Sequence, residues 1–325
     1  MNAHLTKLQG QLCNLLQKGL PICSNPFAQI AKEMGCDEDT VLKQTSELKK
    51  TGVIRRITAI INHRTLGMAG TLVAAHIPQD NLLEVAEAVN AIEDVSHNYL
   101  RKHYYNLWFT LQAKSDKRIE EILLNLSARF KFDFYSLPAE RIFKLDVRFD
   151  AENAAQIFSN VEKMPKYETV ILDENEKLIL SKLQIDLQIV NNPFDFLSSR
   201  QLQMEDVFKI LNRLLDIGII RRIAAVVDHR KLGFVANVLF VCKVPEEKIV
   251  QAGRKLSQFG LVSHCYQRKT FDGWHYNLFA MIHGKNMEEI QQTIDSFVES
   301  KKIDTFELLP TAAELKKQPV KFQFY

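Results

Sequence analysis

Three residue types recur at one spacing in two places. In "VSHNYLRKH" the alternate positions are His97, Tyr99, Arg101 and His103; in "VSHCYQR" they are His264, Tyr266 and Arg268. Side chains alternate sides along a strand, so each set is expected to project from one face. A polar row of that kind is costly to bury unpaired, which argues for a face that lines a ligand cavity. The chemistry on offer is narrow. Arg and Tyr hold carboxylates through fixed donors, and His moves a proton near neutral pH or ligates iron through a ring nitrogen. The sequence has no G-x-G-x-x-G, no P-loop and no Ser-His-Asp grammar, and these strands lack the carboxylates that hydrolases use. The rows suit an anion that must be held and protonated.

A second basic feature lies upstream of each row. "GVIRRITAIINHRTLG" (52–67) and "GIIRRIAAVVDHRKLG" (218–233) are identical at ten of sixteen positions. Their pairs, Arg55-Arg56 and Arg221-Arg222, sit in strand-like runs, so one arginine of each pair is expected to face inward as an anion clamp. His63 and His229, in "NHR" and "DHR", are read as structural. Cys13, Cys23, Cys36, Cys242 and Cys265 form no C-x-x-C pair, which fits reduced thiols and a cytoplasmic location.

The elements that must carry these residues repeat with a period of about 166 residues, too long for a solenoid. Each copy opens with helical periodicity: "LQGQLCNLLQKG", "PFAQIAKEMG" and "DEDTVLKQTSELKKTG" in the first, "LDENEKLILSKLQ", "PFDFLSSRQ" and "MEDVFKILNRLLDIG" in the second. The β-branched Arg-Arg run follows, which makes a winged helix-turn-helix. The remainder of each copy reads strand, helix, strand, strand, helix, strand, the ferredoxin-like order. In copy one these elements fall at 70–77, 80–94, 95–101, 106–113, 115–129 and 132–136. In copy two they fall at 235–244, 246–258, 261–268, 275–283, 286–300 and 303–308. The expected α+β organisation is winged helix-turn-helix over 1–67, ligand domain over 68–150, linker over 151–168, winged helix-turn-helix over 169–233 and ligand domain over 234–325. The two copies are expected to pack as a pseudo-dimer, their sheet faces meeting across an approximate two-fold axis.

Composition excludes several classes. A net charge of +3 over 325 residues announces no dominant nucleic-acid role, and no apolar run approaches the ~20 residues a membrane helix needs. The helix-turn-helix makes a ligand-responsive DNA-binding regulator the rival reading. Against it, residues 30–52 carry a net charge of −1 and residues 196–218 a net charge of zero. Asp37, Glu38 and Asp39, or Glu205 and Asp206, would meet phosphate first and repel it.

At the "VSHxYxR" segments the sequence resembles siroheme decarboxylases, pairs or fusions of two related subunits with the fold of the Lrp/AsnC regulators. The resemblance covers essentially the whole chain. The second copy's hairpin between Lys269 and Tyr276 is four residues longer than the first's. It also has His275 where the family is expected to have proline, so His275 is read as a turn residue. The resemblance implies removal of CO2 from the C12 and C18 acetates of siroheme, giving didecarboxysiroheme for heme or for the d-type heme of nitrite reductase. For that reaction the matched strand faces make His97 and His264, with His103 next in line, the expected proton donors, the two halves presenting one histidine each. Tyr99, Arg101, Tyr266 and Arg268 would bind carboxylates, with Arg55, Arg56, Arg221 and Arg222 assisting. No cofactor, metal, DNA or membrane is expected. The iron tetrapyrrole is the substrate, heme is expected to fit the same cavity, and a homo-oligomer and downstream tetrapyrrole enzymes are the expected partners.

Overall fold

The computed structural model describes residues 5–145, 148–152, 155–156, 170–322 and 324. The first half opens with α1 (Lys7–Lys18), α2 (Pro26–Met34) and α3 (Glu38–Lys50). Their starts are written in the sequence. Thr6 and Gln9 form a reciprocal capping box, Pro26 begins α2, and the Asp37 carboxylate accepts from the Thr40 amide. Leu12, Leu16, Phe27, Ile30, Val41 and Leu48 turn inward onto the wing strand β1 (Ile54–Ile61). Then come β2 (Ala69–Ala75), α4 (Gln79–Ala91), β3 (Val95–Arg101), β4 (Leu107–Ala113), α5 (Asp116–Phe130) and β5 (Phe134–Leu145), in the expected order. A short hairpin of β6 (Phe149–Asp150) and β7 (Ala155–Gln156) follows. Most of the linker expected over 151–168 lies outside the described residues.

The second half repeats the plan with α6 (Glu174–Lys182), α7 (Met204–Asp216) and the wing strand β8 (Ile220–Val227). Its ligand domain comprises β9 (Ala236–Cys242), α8 (Ile249–Ser257), β10 (Val262–Arg268), β11 (Leu278–Gly284), α9 (Met287–Lys301) and β12 (Phe306–Lys317). One expected helix is missing. "PFDFLSSRQ" forms only a 3₁₀ turn over Asp195–Leu197. Ser198 Oγ donates to the Asp195 carbonyl and Ser199 Oγ accepts from Leu202, so serine hydroxyls take the backbone groups a helix would use. Phe194 and Leu197 stay fully buried, so the turn still plugs the core.

Two pairings join the halves. The wings β1 and β8 run antiparallel as a two-stranded ribbon, and the remaining long strands close a barrel in the order β10-β11-β9-β12-β3-β4-β2-β5. The closing strands were underestimated from sequence: β5 and β12 each run 12 residues, well past 136 and 308. The first part of β5 pairs with β2 of its own half and the rest with β10 of the other; β12 does the same with β9 and then β3. Each arm carries an apolar residue into the opposite core, Phe143 into the second half's and Leu315 into the first's. The sheet faces therefore do meet, as the wall of one lumen.

Candidate functional site

Inside the barrel, Ala74, Trp108, Leu137, Leu239, Phe279 and Leu309 form one cluster, while the helices cover the outer faces. Tyr99 pairs with Trp108 across β3–β4, and Tyr266 with Phe279 across β10–β11. Directly paired residues share a face. His97, Tyr99 and Arg101 therefore line the lumen from one half, and His264, Tyr266 and Arg268 from the other. One end of the lumen is closed by aromatics. Gly273 (φ +84°) turns the longer second hairpin back so that Trp274 meets Trp108, Tyr105 and Phe271. His275 stays exposed on the turn.

The row of four ends at three. The β3 strand stops at Arg101, whose amide closes the hairpin on the Asn106 carbonyl. His103 therefore leaves the His97 face. Its Nε2 lies 2.6 Å from Glu307 Oε2, with the Trp274 ring edge-on at 5.7 Å. This places it among the aromatic plug and corrects its place in the row.

A β-bulge precedes each remaining histidine, between Val95 and His97 and between Val262 and His264. In both cases the preceding serine approaches the imidazole: Ser96 Oγ and Ser263 Oγ each lie 2.9 Å from Nδ1. The rings stack beside the next tyrosine, at 6.2 Å for His97–Tyr99 and 6.1 Å for His264–Tyr266. Burial drives the His97 pKa down to about 4, helped by the charges of Lys317, Arg56 and Arg55. Burial also pushes Tyr99 up to about 12, and raises Tyr266. Both tyrosines are therefore hydroxyl donors at neutral pH.

The row arginines are engaged with backbone. Arg101 Nη1 donates to the Leu309 carbonyl at 2.8 Å and Arg268 Nη1 to the Leu137 carbonyl at 2.7 Å, each reaching the arm of the opposite half. Each guanidinium also sits over its tyrosine ring, at 5.6 Å for Arg101 and 4.6 Å for Arg268. Desolvation lowers both arginines to about 10. They remain charged, and they staple the arms while backing the tyrosines.

Of the wing arginines, Arg55, Arg56 and Arg221 bear electrostatically on the rows. Arg55 Nη2 pairs with Asp228 Oδ2 at 2.8 Å, and its charge is felt by His97 and Tyr99. Arg56 is half-buried towards Asp186. In the second half Arg221 Nη2 donates to Asn62 Oδ1 at 3.2 Å, and Arg222 pairs in register with Ile60.

Sequence reasoning missed several groups. Arg64 bears on Tyr266 and Arg268, and Arg230 on Tyr99, so the arginine after each wing histidine serves the other half's row. The signal was present in the repeated "HR" pairs, His63-Arg64 and His229-Arg230. Glu314 pairs in register with Tyr99 and Lys317 with His97, from an arm that was read as ending at 308. His283 meets His229 edge-on at 4.9 Å, and burial holds its pKa far below the ordinary range and that of His229 at about 3. His229 also stacks on Phe149, and His63 packs over Gly70, where a Cβ would come within 2.9 Å of its Nε2. Among the described residues no group of three His, Cys, Asp or Glu is arranged to hold a metal, and no helix is long and apolar enough to cross a membrane.

Residues 65–144 and 231–316 match the AsnC-like ligand binding domain, and residues 10–55 the siroheme decarboxylase NirDL-like HTH domain. The siroheme decarboxylase of Hydrogenobacter thermophilus is 36% identical over 315 residues, covering 96% of this chain and 94% of that protein. The siroheme decarboxylase NirDL subunit of Paracoccus denitrificans is 30% identical over 286 residues, 87% of each chain. A siroheme decarboxylase alpha subunit from Desulfovibrio desulfuricans matches only 46% of this chain, at 36% identity, while 87% of that subunit is covered. A crystal structure of the siroheme decarboxylase NirDL superposes with a TM-score of 0.75 at 33% identity, covering 97% of this chain and 94% of that one. A second such structure, with the same score, is a co-complex with an iron-uroporphyrin III analogue.

Proposed function

The chain belongs to the siroheme decarboxylases, carboxy-lyases acting on siroheme, in their single-chain form, and on that footing we propose how its own residues perform the reaction. The substrate loses CO2 from the acetates at C12 and C18. The observation that carries the reading is the pair of inward His-Tyr-Arg rows beneath the wing arginines. We read the two halves as a pseudo-dimer about an approximate two-fold axis. The matched registers of β5 with β10 and of β12 with β3 support it.

Tyr99, Tyr266 and the wing arginines Arg55, Arg56, Arg221 and Arg222 hold carboxylates, while Arg101 and Arg268 supply positive charge from behind the tyrosines. His97 and His264 are the histidines placed to deliver a proton to the ring carbon next to the one that bears an acetate. His97, which burial holds neutral at rest, takes up its proton as the substrate's carboxylates enter beside it. The bond to the carboxylate carbon then breaks, CO2 leaves, and the electron pair passes into the protonated ring. A proton shift converts the resulting exocyclic methylene to a methyl group. Each carboxylate lost consumes one proton, so the site needs a proton donor and no oxidant. Heme, a flat iron tetrapyrrole, enters the same lumen. Anaerobic incubation with siroheme and mass analysis tests the reading: loss of two CO2 is expected, and an unchanged mass overturns it.

A further inference from the structure

We propose that His229 and His283 form a buried proton path that recharges His264 after CO2 is lost. The inference rests on the siroheme decarboxylase reading and deepens it. Every carboxylate removed consumes one proton, and a donor must regain it before acting again.

Strand alternation puts His283 on the lumen face. In β11, Leu278, Ala280 and Ile282 pack under the helices, while Phe279 and Met281 turn into the lumen; His283 is next in the inward series. Met281 pairs in register with His264, which makes His283 the diagonal neighbour of that histidine on the same face. The charge of His264 bears on His283 accordingly. On its other side His283 pairs with Asn237 of β9, which shares the face of Leu239 and Val241. The His229 ring meets His283 edge-on at 4.9 Å, and Phe149 covers them at 5.6 Å and 5.4 Å.

Three polar atoms of this group are buried without a hydrogen-bond partner: His229 Nε2, His283 Nδ1 and Asn237 Oδ1. The two histidines are only 4% and 8% exposed. Orphaned buried atoms are rare in native folds and mark catalytic or water-holding places. An ordered water held by these three groups completes a line between the rings. At the outer end, Arg55 and Lys317 act on His229 and also line a cleft of about 440 Å³. Solvent protons enter there.

The first half has no such line. Gly70 and Gln112 pair in the register that Asn237 and His283 occupy in the second. His63, the counterpart of His229, packs directly over Gly70 and beside Gln112, an amide that does not take up and release a proton.

The charged groups facing the pair are Lys317, Arg101 and His264 at His283, and Lys317, Asp228, Arg230 and Arg55 at His229. With burial, this mostly cationic surround keeps both rings neutral at rest. A neutral imidazole still relays, because one N–H bond forms as the other breaks. His264 gives its Nε2 proton to the macrocycle carbon and regains one from His283. That ring is refilled through His229 from water at the cleft. One solvent proton enters for each CO2 released, and no oxidant or reductant takes part.

Steady-state decarboxylation of siroheme by the full chain, in water and in deuterium oxide, tests the path, with absorbance titration by iron-uroporphyrin III alongside. His283→Gln, which copies Gln112, and His229→Gln are each expected to lower kcat about tenfold and to raise the solvent isotope effect. Tetrapyrrole affinity should stay within about twofold, which also reports an intact lumen. Two links of one path are not additive, so the double variant should lose about tenfold as well, rather than about a hundredfold. Full kcat in either single variant, a hundredfold loss in the double, an unchanged isotope effect or a tenfold loss of affinity overturns the proposal alone. Absence of CO2 loss from siroheme in the unaltered protein overturns the underlying reading.

Discussion

Ser263 Oγ lies 2.9 Å from His264 Nδ1 and 3.2 Å from the Met281 carbonyl oxygen. A hydroxyl has one proton, and the carbonyl can only accept. The Ser263 proton is therefore spent on Met281, and its oxygen accepts from His264 Nδ1. The tautomer is fixed, and the proton that changes hands is the one at Nε2. Ser263→Ala is expected to slow decarboxylation about tenfold with little change in siroheme affinity, because the imidazole loses the hydrogen bond that fixes its Nδ1. Ser263→Thr, which keeps the hydroxyl, should recover most of the rate. Unaltered kcat in the alanine variant would contradict the orientation role.

His264→Ala removes the donor itself. Turnover is expected to fall by about 10²-fold or more, while tetrapyrrole affinity stays within about threefold. Stopped-flow absorbance for binding and mass analysis for product separate the two quantities. Full turnover in a His97/His264 double alanine variant would remove histidine from the chemistry altogether.

Arg101 and Arg268 are expected to show their loss in stability first. Either alanine variant leaves a buried carbonyl, Leu309 or Leu137, without its charged donor. Unfolding free energy should drop by about 2 kcal/mol, read from the urea midpoint. An unshifted midpoint with weakened binding would mean that these arginines meet the substrate directly.

The buried histidines set a pH dependence. His63 and His97 titrate at about 4 in the folded chain and His229 at about 3, against 6.5 when unburied. The unfolded chain binds these protons first, so stability is full above pH 6.5 and declines as pH falls towards 4. Each histidine contributes a slope of at most about 1.4 kcal/mol per pH unit. The urea midpoint is expected to be lower at pH 5 than at pH 7.5, with a shallower dependence in His229→Gln. Equal midpoints would show that the histidines stay accessible to protons in the fold.

Duplex DNA is not expected to find a partner here. The first turns of α3 and α7 carry Glu38 and Asp39, and Glu205 and Asp206, where a reading helix needs cations. A screen against random duplex at moderate ionic strength should return no defined site. Recovery of one with a dissociation constant near ~10⁻⁸ M would place the chain among DNA regulators.

The duplication, the order of elements and both inward rows were legible because strand alternation and helix periodicity are local properties of the chain. The arms were not. Pro138, Glu140 and Arg141 spoil any apolar alternation, and the segment becomes a strand because β10 of the other half hydrogen-bonds it. Everything the arms bring, Glu314 and Lys317 above all, was hidden for the same reason. His103 shows the converse error: period two was extended one residue beyond the turn that ends it. The missing helix at Asp195–Leu197 has the apolar spacing of a helix, but Ser198 and Ser199 compete for its backbone.

The exchanged arms also govern when the protein can fold. During synthesis the first half emerges with β3 lacking β12 and β5 lacking β10, two exposed strand edges of the kind that recruit other chains. The pairing of His97 with Lys317 cannot form until the last strand has left the ribosome. Covalent fusion supplies the missing partner at high effective concentration, in a fixed one-to-one ratio, before a stranger can bind. Cutting the chain between the halves would make barrel closure a second-order event, slower with dilution and dependent on finding the right mate.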